Sequence, residues 1–216
     1  KDLLETYVAT CDQEIFDYIE SIGGKALMTS MSHERASDRT AEAMLQVEDI
    51  MKEKIDIVVM IQGDEPMVSP DMVSESIKPL LADKTVNVVN LMSNIATIEA
   101  FEDPNEVKVV VNNDSDAIYF SREPIPSRKK GFNNIQMLKQ VCIIPFRRDY
   151  LIKFNETLET NLEKIESVDM LRIIENGGKV HMVMTDESTY SVDTIKDLKN
   201  VEREMQKDNL IQIYNK

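Results

Sequence analysis

Two acidic positions in this chain stand where a carboxylate can do more than solvate a surface. Asp64 and Glu65 follow the apolar run Ile57-Val-Val-Met-Ile61 through Gln62-Gly63, and Pro66 closes the stretch. A run without a polar face suits a central strand covered on both sides, as in a parallel α/β sheet. Gly63 allows close backbone approach, and Pro66 bars further ladder pairing. In open α/β sheets, ligands bind outside the carboxyl ends of the strands. Asp193, in Ser191-Val-Asp193-Thr194, sits just outside a second strand-like run. Together the two acids can hold one Mg²⁺, which takes few protein carboxylates and leaves positions for substrate phosphate. Plainer roles suit the same residues. Ser69-Pro70-Asp71 caps a helix shortly after Asp64, and Asp193-Thr194 is ordinary N-cap chemistry.

The chain has 216 residues and a formal net charge of −14, so its basic residues are outnumbered and their positions carry information. Arg39 follows the loop 33–38. Arg122 lies in Tyr119-Phe-Ser-Arg122-Glu-Pro-Ile-Pro126, with Arg128, Lys129 and Lys130 just after. A planar guanidinium suits carboxylate or phosphate; Lys129 and Lys130 read as a solvated basic loop. A field of this sign repels nucleic-acid phosphates, which argues against a nucleic-acid partner. A small anionic substrate would need a local basic pocket or a metal ion. The two cysteines, Cys11 and Cys142, are far apart and outside any CxxC pair, and His33 and His181 are the two histidines. Neither a disulfide nor a Cys/His zinc site is supported. With no long uninterrupted apolar run, no membrane span is expected.

The elements that must position these residues alternate. Strands are expected at 6–10, 25–28, 56–61, 86–95, 107–111, 117–120, 137–144 and 179–184. Helices are expected at 13–22, 38–52, 70–81, from Thr97, at 148–154, 165–175 and 195–207. Asp12, Ser37, Ser69 and Thr97 are the expected caps, and Gly23-Gly24 and Gly177-Gly178 the stops. Residues 121–132 read as a loop. Strand–helix alternation with one hairpin in the second half predicts a single α/β domain over 1–216, a three-layer sandwich with a mixed, mostly parallel sheet.

An ordered set of short motifs then matches a family. It comprises Val8-Ala-Thr10-Cys-Asp12, Met28-Thr29, His33 with Arg39 and Ala41-Glu42, Gln62-Gly-Asp64-Glu-Pro66, and Pro104-Asn105 with Val107-Lys-Val-Val110. It continues through Tyr119-Phe-Ser-Arg122 with Ile125-Pro126, Leu162-Glu163, Ile165-Glu166, Leu171-Arg172 and Val192-Asp193-Thr194. The chain resembles the 3-deoxy-manno-octulosonate cytidylyltransferases (CMP-Kdo synthetases) over nearly its whole length. The resemblance implies the nucleotide-diphospho-sugar transferase-like fold and cytidylyl transfer from CTP to an eight-carbon sugar acid. It also implies a cytoplasmic homodimer of lipopolysaccharide biosynthesis. By the same resemblance, Asp64 and Asp193 hold Mg²⁺ and Arg122 meets the sugar carboxylate. Gln62, Glu166, Gln140 and Asp169 line the sugar side, and Arg39 the nucleotide side.

The departures also carry information. The family's His-Leu-Gly-Ile-Tyr-x-Tyr-Arg stretch reads here with Gln140, Ile144 and Phe146 before Arg147, and its Leu-Glu-Gln-Leu-Arg becomes Val168-Asp169-Met170-Leu171-Arg172. A less polar sugar pocket is expected, suited to a modified, amino-substituted relative of Kdo. The chain begins at what resembles the family's second strand–helix unit, so an N-terminal truncation, and a gap in the sheet or an exposed groove beside the strand at 56–61, are expected. Competing readings are a nucleotide-sugar glycosyltransferase, whose DxD-type motif Asp64-Glu65-Pro66 lacks, and a non-catalytic binding protein of the same fold.

Overall fold

The computed structural model describes residues 4–130, 135–187, 189–208 and 210–211; of the loop expected at 121–132, Gly131 and Phe132 lie outside the described residues. The elements in chain order are β1 (Val8–Thr10), α1 (Gln13–Ser21), β2 (Ala26–Met28), α2 (Ala36–Met51), β3 (Ile57–Ile61), α3 (Pro70–Ala82), β4 (Val89–Asn94) and α4 (Ile98–Glu102). There follow β5 (Lys108–Val111), β6 (Ala117–Ser121), β7 (Leu138–Val141), β8 (Ile143–Arg147), α5 (Arg148–Glu156), α6 (Asn161–Glu166), α7 (Met170–Glu175), β9 (His181–Met184) and α8 (Ile195–Met205).

Helix starts obey cap chemistry. Asp12 accepts from the N–H groups of Glu14 and Ile15, Ser69 from Met72, Thr97 from Ala100, and Thr194 from Asp197. Each satisfies an orphan donor, a contribution of about 1 kcal/mol. Two expectations need correcting. Ser37 does not cap α2: Arg35 is the extended residue before it, and Ser37 lies wholly buried inside the first turn. The single helix expected at 165–175 is two helices, because Ser167 turns left-handed at φ 53° and ends α6.

The sheet is mixed. Among the described residues, β1–β2 and β4–β9 run parallel, while β3–β8, β4–β7, β5–β6 and β5–β7 run antiparallel. Parallel pairs are therefore not the majority, because β7 and β8 form one long strand that runs against every neighbour it pairs with. That strand is interrupted at Cys142. From Val141 to Phe146 it advances five residues while β4, from Leu91 back to Val88, advances three. Below the break β7 pairs with β5; above it β8 pairs with β3.

Alternation along the strands produces the layers. Met60, Val88, Met92, Ile144 and Phe146 point to one face and join α2, α5 and α7 in the main core. Val59, Leu91, Val141 and Ile143 point to the other, against Met72 of α3. The three-layer sandwich follows.

The strand β3 is not the doubly flanked strand that its sequence suggests. It pairs with β8 on one side, and no ladder is present on its other side among the described residues. Ile57, Val58 and Val59 are only half-buried, and Ile61 is 39% exposed. The strand β1 likewise pairs, among the described residues, with β2 alone. Among the described residues, an open edge lies beside the strand at 56–61.

Candidate active site

The segment after β3 is tied to the break at Cys142. Gln62 donates its N–H to the Cys142 carbonyl at 3.1 Å, and Glu65 Oε1 accepts the Cys142 N–H at 3.1 Å. The Glu65 N–H turns back to the Gln62 carbonyl at 3.2 Å. Both main-chain groups of Cys142 are thus taken by this loop, which accounts for the interruption between β7 and β8. The loop also meets the chain before α8: Val192 donates its N–H to the Asp64 carbonyl at 2.9 Å. Asp193 is brought beside Asp64.

The Asp64 carboxyl is half-buried, and its Oδ1 is buried without a hydrogen-bond partner among the described residues. Burial pushes its pKa up, and the charge of Asp193 adds to the rise. An orphaned buried carboxylate oxygen with a second carboxylate nearby costs free energy unless a cation offsets the charge. Among the described residues, no group of three or more His, Cys, Asp or Glu is gathered to hold a metal. Two hard oxygen ligands with room for substrate oxygens fit Mg²⁺ better than a cation that needs a full protein cage.

Arg122 and Glu166 form a second unit. Glu166 Oε1 accepts from Tyr119 Oη at 3.1 Å and Ser121 Oγ at 2.9 Å, and Oε2 accepts the Arg122 N–H at 2.9 Å. Arg122 Nε donates to the Glu166 carbonyl at 2.7 Å, Nη1 to Pro104 at 2.9 Å and Nη2 to Ser167 at 3.5 Å. With three donors on its carboxylate, Glu166 anchors the end of β6 to the α6–α7 corner. Among the described residues, the guanidinium spends three of its five N–H groups on carbonyls and keeps two.

The other sequence candidates are dispersed. Gln140 donates to Asn90 Oδ1 at 2.6 Å between β7 and β4. Asp169, at the start of α7, is buried; burial raises its pKa against the pull of the Ser37 hydroxyl, Arg35 and Arg172. Arg39 donates to Thr29 Oγ1 and to the Ser30 carbonyl, beside the His33–Glu42 pair. No hydrogen bond among the described residues links Arg39 to the acid pair. Ile144, Phe146 and Met170 are 0% exposed and belong to the main core. They present no pocket surface and so do not make a sugar pocket less polar. Sequence reasoning passes over Lys139, which lies buried beside the loops of both acids; the available signal was a lysine inside the mostly apolar strand 137–144.

Known proteins carry the same organisation. The family model described as Cytidylyltransferase matches residues 1–183. The 3-deoxy-manno-octulosonate cytidylyltransferase of Geobacter metallireducens is 36% identical over 207 residues, which cover 91% of this chain and 79% of that protein. The one of Fusobacterium nucleatum is 34% identical over 203 residues, covering 94% and 80%. A solved CMP:2-keto-3-deoxy-manno-octonic acid synthetase, complexed with CTP, matches with a TM-score of 0.84 at 35% identity, covering 95% of this chain and 82% of its own. A 4-diphosphocytidyl-2C-methyl-D-erythritol synthase from Anaerococcus prevotii, at 15% identity and a TM-score of 0.57, shares the fold alone. Identity at this level, sustained along nearly the whole chain and on the same architecture, places the protein in the 3-deoxy-manno-octulosonate cytidylyltransferase family.

Proposed function

We propose that the protein transfers the cytidylyl group of CTP to the anomeric hydroxyl of a 3-deoxy-manno-octulosonate-type sugar acid. The hydroxyl oxygen attacks the α-phosphorus, its proton is lost, and the bond from that phosphorus to the pyrophosphate oxygen breaks. Such a transfer depends mainly on positioning and charge neutralisation. The observation that carries the reading is the meeting of Asp64 with the Asp193 segment at the end of β3, in a chain of this family. These two carboxylates would hold Mg²⁺, which when bound neutralises charge on the phosphate oxygens.

Arg122 offers its two remaining N–H groups to the sugar carboxylate, with the side chain already fixed by three carbonyls. Glu166 acts by holding that arginine's strand in place, and Gln62 stays half-buried next to the acid loop. A homodimer working in the cytoplasm, where CTP is available, completes the proposal. Among the described residues no helix is long and apolar enough to cross a membrane. The test is pyrophosphate release by the full-length protein supplied with CTP, Mg²⁺ and Kdo. Release that requires all three is expected; none above a no-enzyme control would overturn the assignment.

A further inference from the structure

The two metal-facing acids lie on loops, and a pair of loop carboxylates is useful only if something fixes the loops to each other. The Asp64 loop is held at Cys142. The segment carrying Asp193 has, besides the Val192–Asp64 bond, a second anchor. Ser93 of β4 and Lys139 of β7 are directly opposite one another in the antiparallel ladder. Both reach Thr189, four residues before Asp193. Ser93 Oγ lies 3.2 Å from Thr189 Oγ1, and Lys139 Nζ donates to the Thr189 carbonyl at 3.5 Å. Both gripping residues are buried, Ser93 at 4% and Lys139 at 8% exposure. Lys139 is steadied from the other side by Glu106, at 2.9 Å. A lysine buried to this extent gives up hydration and rotamer freedom, so its position on the sheet is a costly one.

We propose that the cross-strand pair Ser93–Lys139 is the positioning device for Asp193, clamping Thr189 so that the Asp193 carboxylate stays within reach of the cation held by Asp64. The inference rests on the metal reading given above. It makes a prediction whose sign separates it from simple electrostatics. Lys139 is a cation close to a cation site, so charge alone says that its removal should tighten divalent-metal binding. A clamp says the opposite: without it the loop drifts, the second carboxylate is no longer presented, and binding weakens.

The experiment is Mn²⁺ titration of the full-length protein, reading free Mn²⁺ from its electron paramagnetic resonance signal, with thermal melting as the check on folding. Lys139→Met is expected to raise the Mn²⁺ dissociation constant about tenfold, the order lost when one bound partner is no longer held. Lys139→Arg, which keeps a long donor, should restore most of the affinity. Ser93→Ala removes the other grip and should weaken binding a few-fold; it decides the matter if Lys139→Met fails to fold. Unchanged or tighter binding in the folded variants overturns the clamp. If Asp64→Asn itself leaves Mn²⁺ binding intact, the metal reading fails instead, and the two failures are distinct.

Discussion

Val192 donates its N–H to the carbonyl of Asp64 at 2.9 Å, so one main-chain hydrogen bond sets the neighbour of Asp193 against Asp64. Such a bond survives side-chain replacement, which makes the acids themselves testable without dismantling the site. Asp64→Asn is expected to lower kcat by about 100-fold or more, as for loss of a group that stabilises developing charge. Stability should move the other way. The folded-state pKa of Asp64 is raised, chiefly by burial, so its ionised form is a cost that grows as pH rises through that pKa. At neutral pH, without metal, the asparagine variant should melt at the same temperature or slightly higher. Thermal melting alongside a pyrophosphate-release assay checks both; a large drop in Tm would assign Asp64 to the core.

Arg122 should separate the two substrates. Lysine at this position retains a charge but cannot reach three carbonyls at once. Arg122→Lys is expected to reduce kcat/KM for the sugar acid by about 10- to 100-fold with little change in the KM for CTP. Glu166→Gln, which disturbs the anchor without removing the guanidinium, should show the same pattern more weakly. Steady-state kinetics varying each substrate in turn checks this; equal losses on both substrates would argue against a sugar-side arginine.

Arg172 and Glu163 form a pair whose side chains are 5% and 0% exposed, joined by bonds of 2.8 and 2.6 Å. The arginine also donates to the carbonyls of Phe154 and Thr157 and lies 4.4 Å from the centre of the Phe154 ring. Glu163→Ala strands a buried cation and should cost about 3–5 kcal/mol. Urea denaturation measures it; a loss below about 1 kcal/mol would mean that water reaches the guanidinium.

Acid should weaken the tie between α2 and α5. Arg148 grips Glu48 through two bonds of 2.6 and 2.8 Å and holds the Glu48 pKa at about 2, against an ordinary 4.5. Because the folded-state pKa is the lower one, this stability is fully present above about 4.5 and is lost as pH falls toward 2. Glu48→Gln should cost roughly 1–2 kcal/mol at neutral pH and flatten the decline of Tm between those pH values. An unchanged slope would show that other carboxylates dominate acid unfolding.

Much of the frame was legible because its signals are local. Asp12, Ser69 and Thr97 each mark a helix start through a side chain that bonds two or three residues on. Gly23 and Gly177 mark ends because their φ values, 80° and 75°, suit glycine. The misses share a cause. Ser167 adopts φ 53° without a glycine or asparagine to announce it, and Cys142 breaks a strand because a distant loop claims its main chain. Asp64 and Asp193 could be picked out by type and place. That Glu166 is an anchor, that Phe146 and Met170 are core, and that Thr189 needs a clamp are properties of partners far away in sequence.

The divided strand at 138–147 also sets an order of events. It is the shared partner of β3, β4 and β5, and all three precede it in the chain. During synthesis those strands emerge with an apolar face and no cross-strand neighbour of this kind, and they must wait until residue 147 is free. Pairing of such long sequence separation is slow and leaves strand edges exposed meanwhile. Before β7 and β8 arrive, the loop at Gln62–Glu65 has nothing to tie to. The carboxylates therefore come together only after most of the chain has been made, which makes the site one of the last features of the molecule to form.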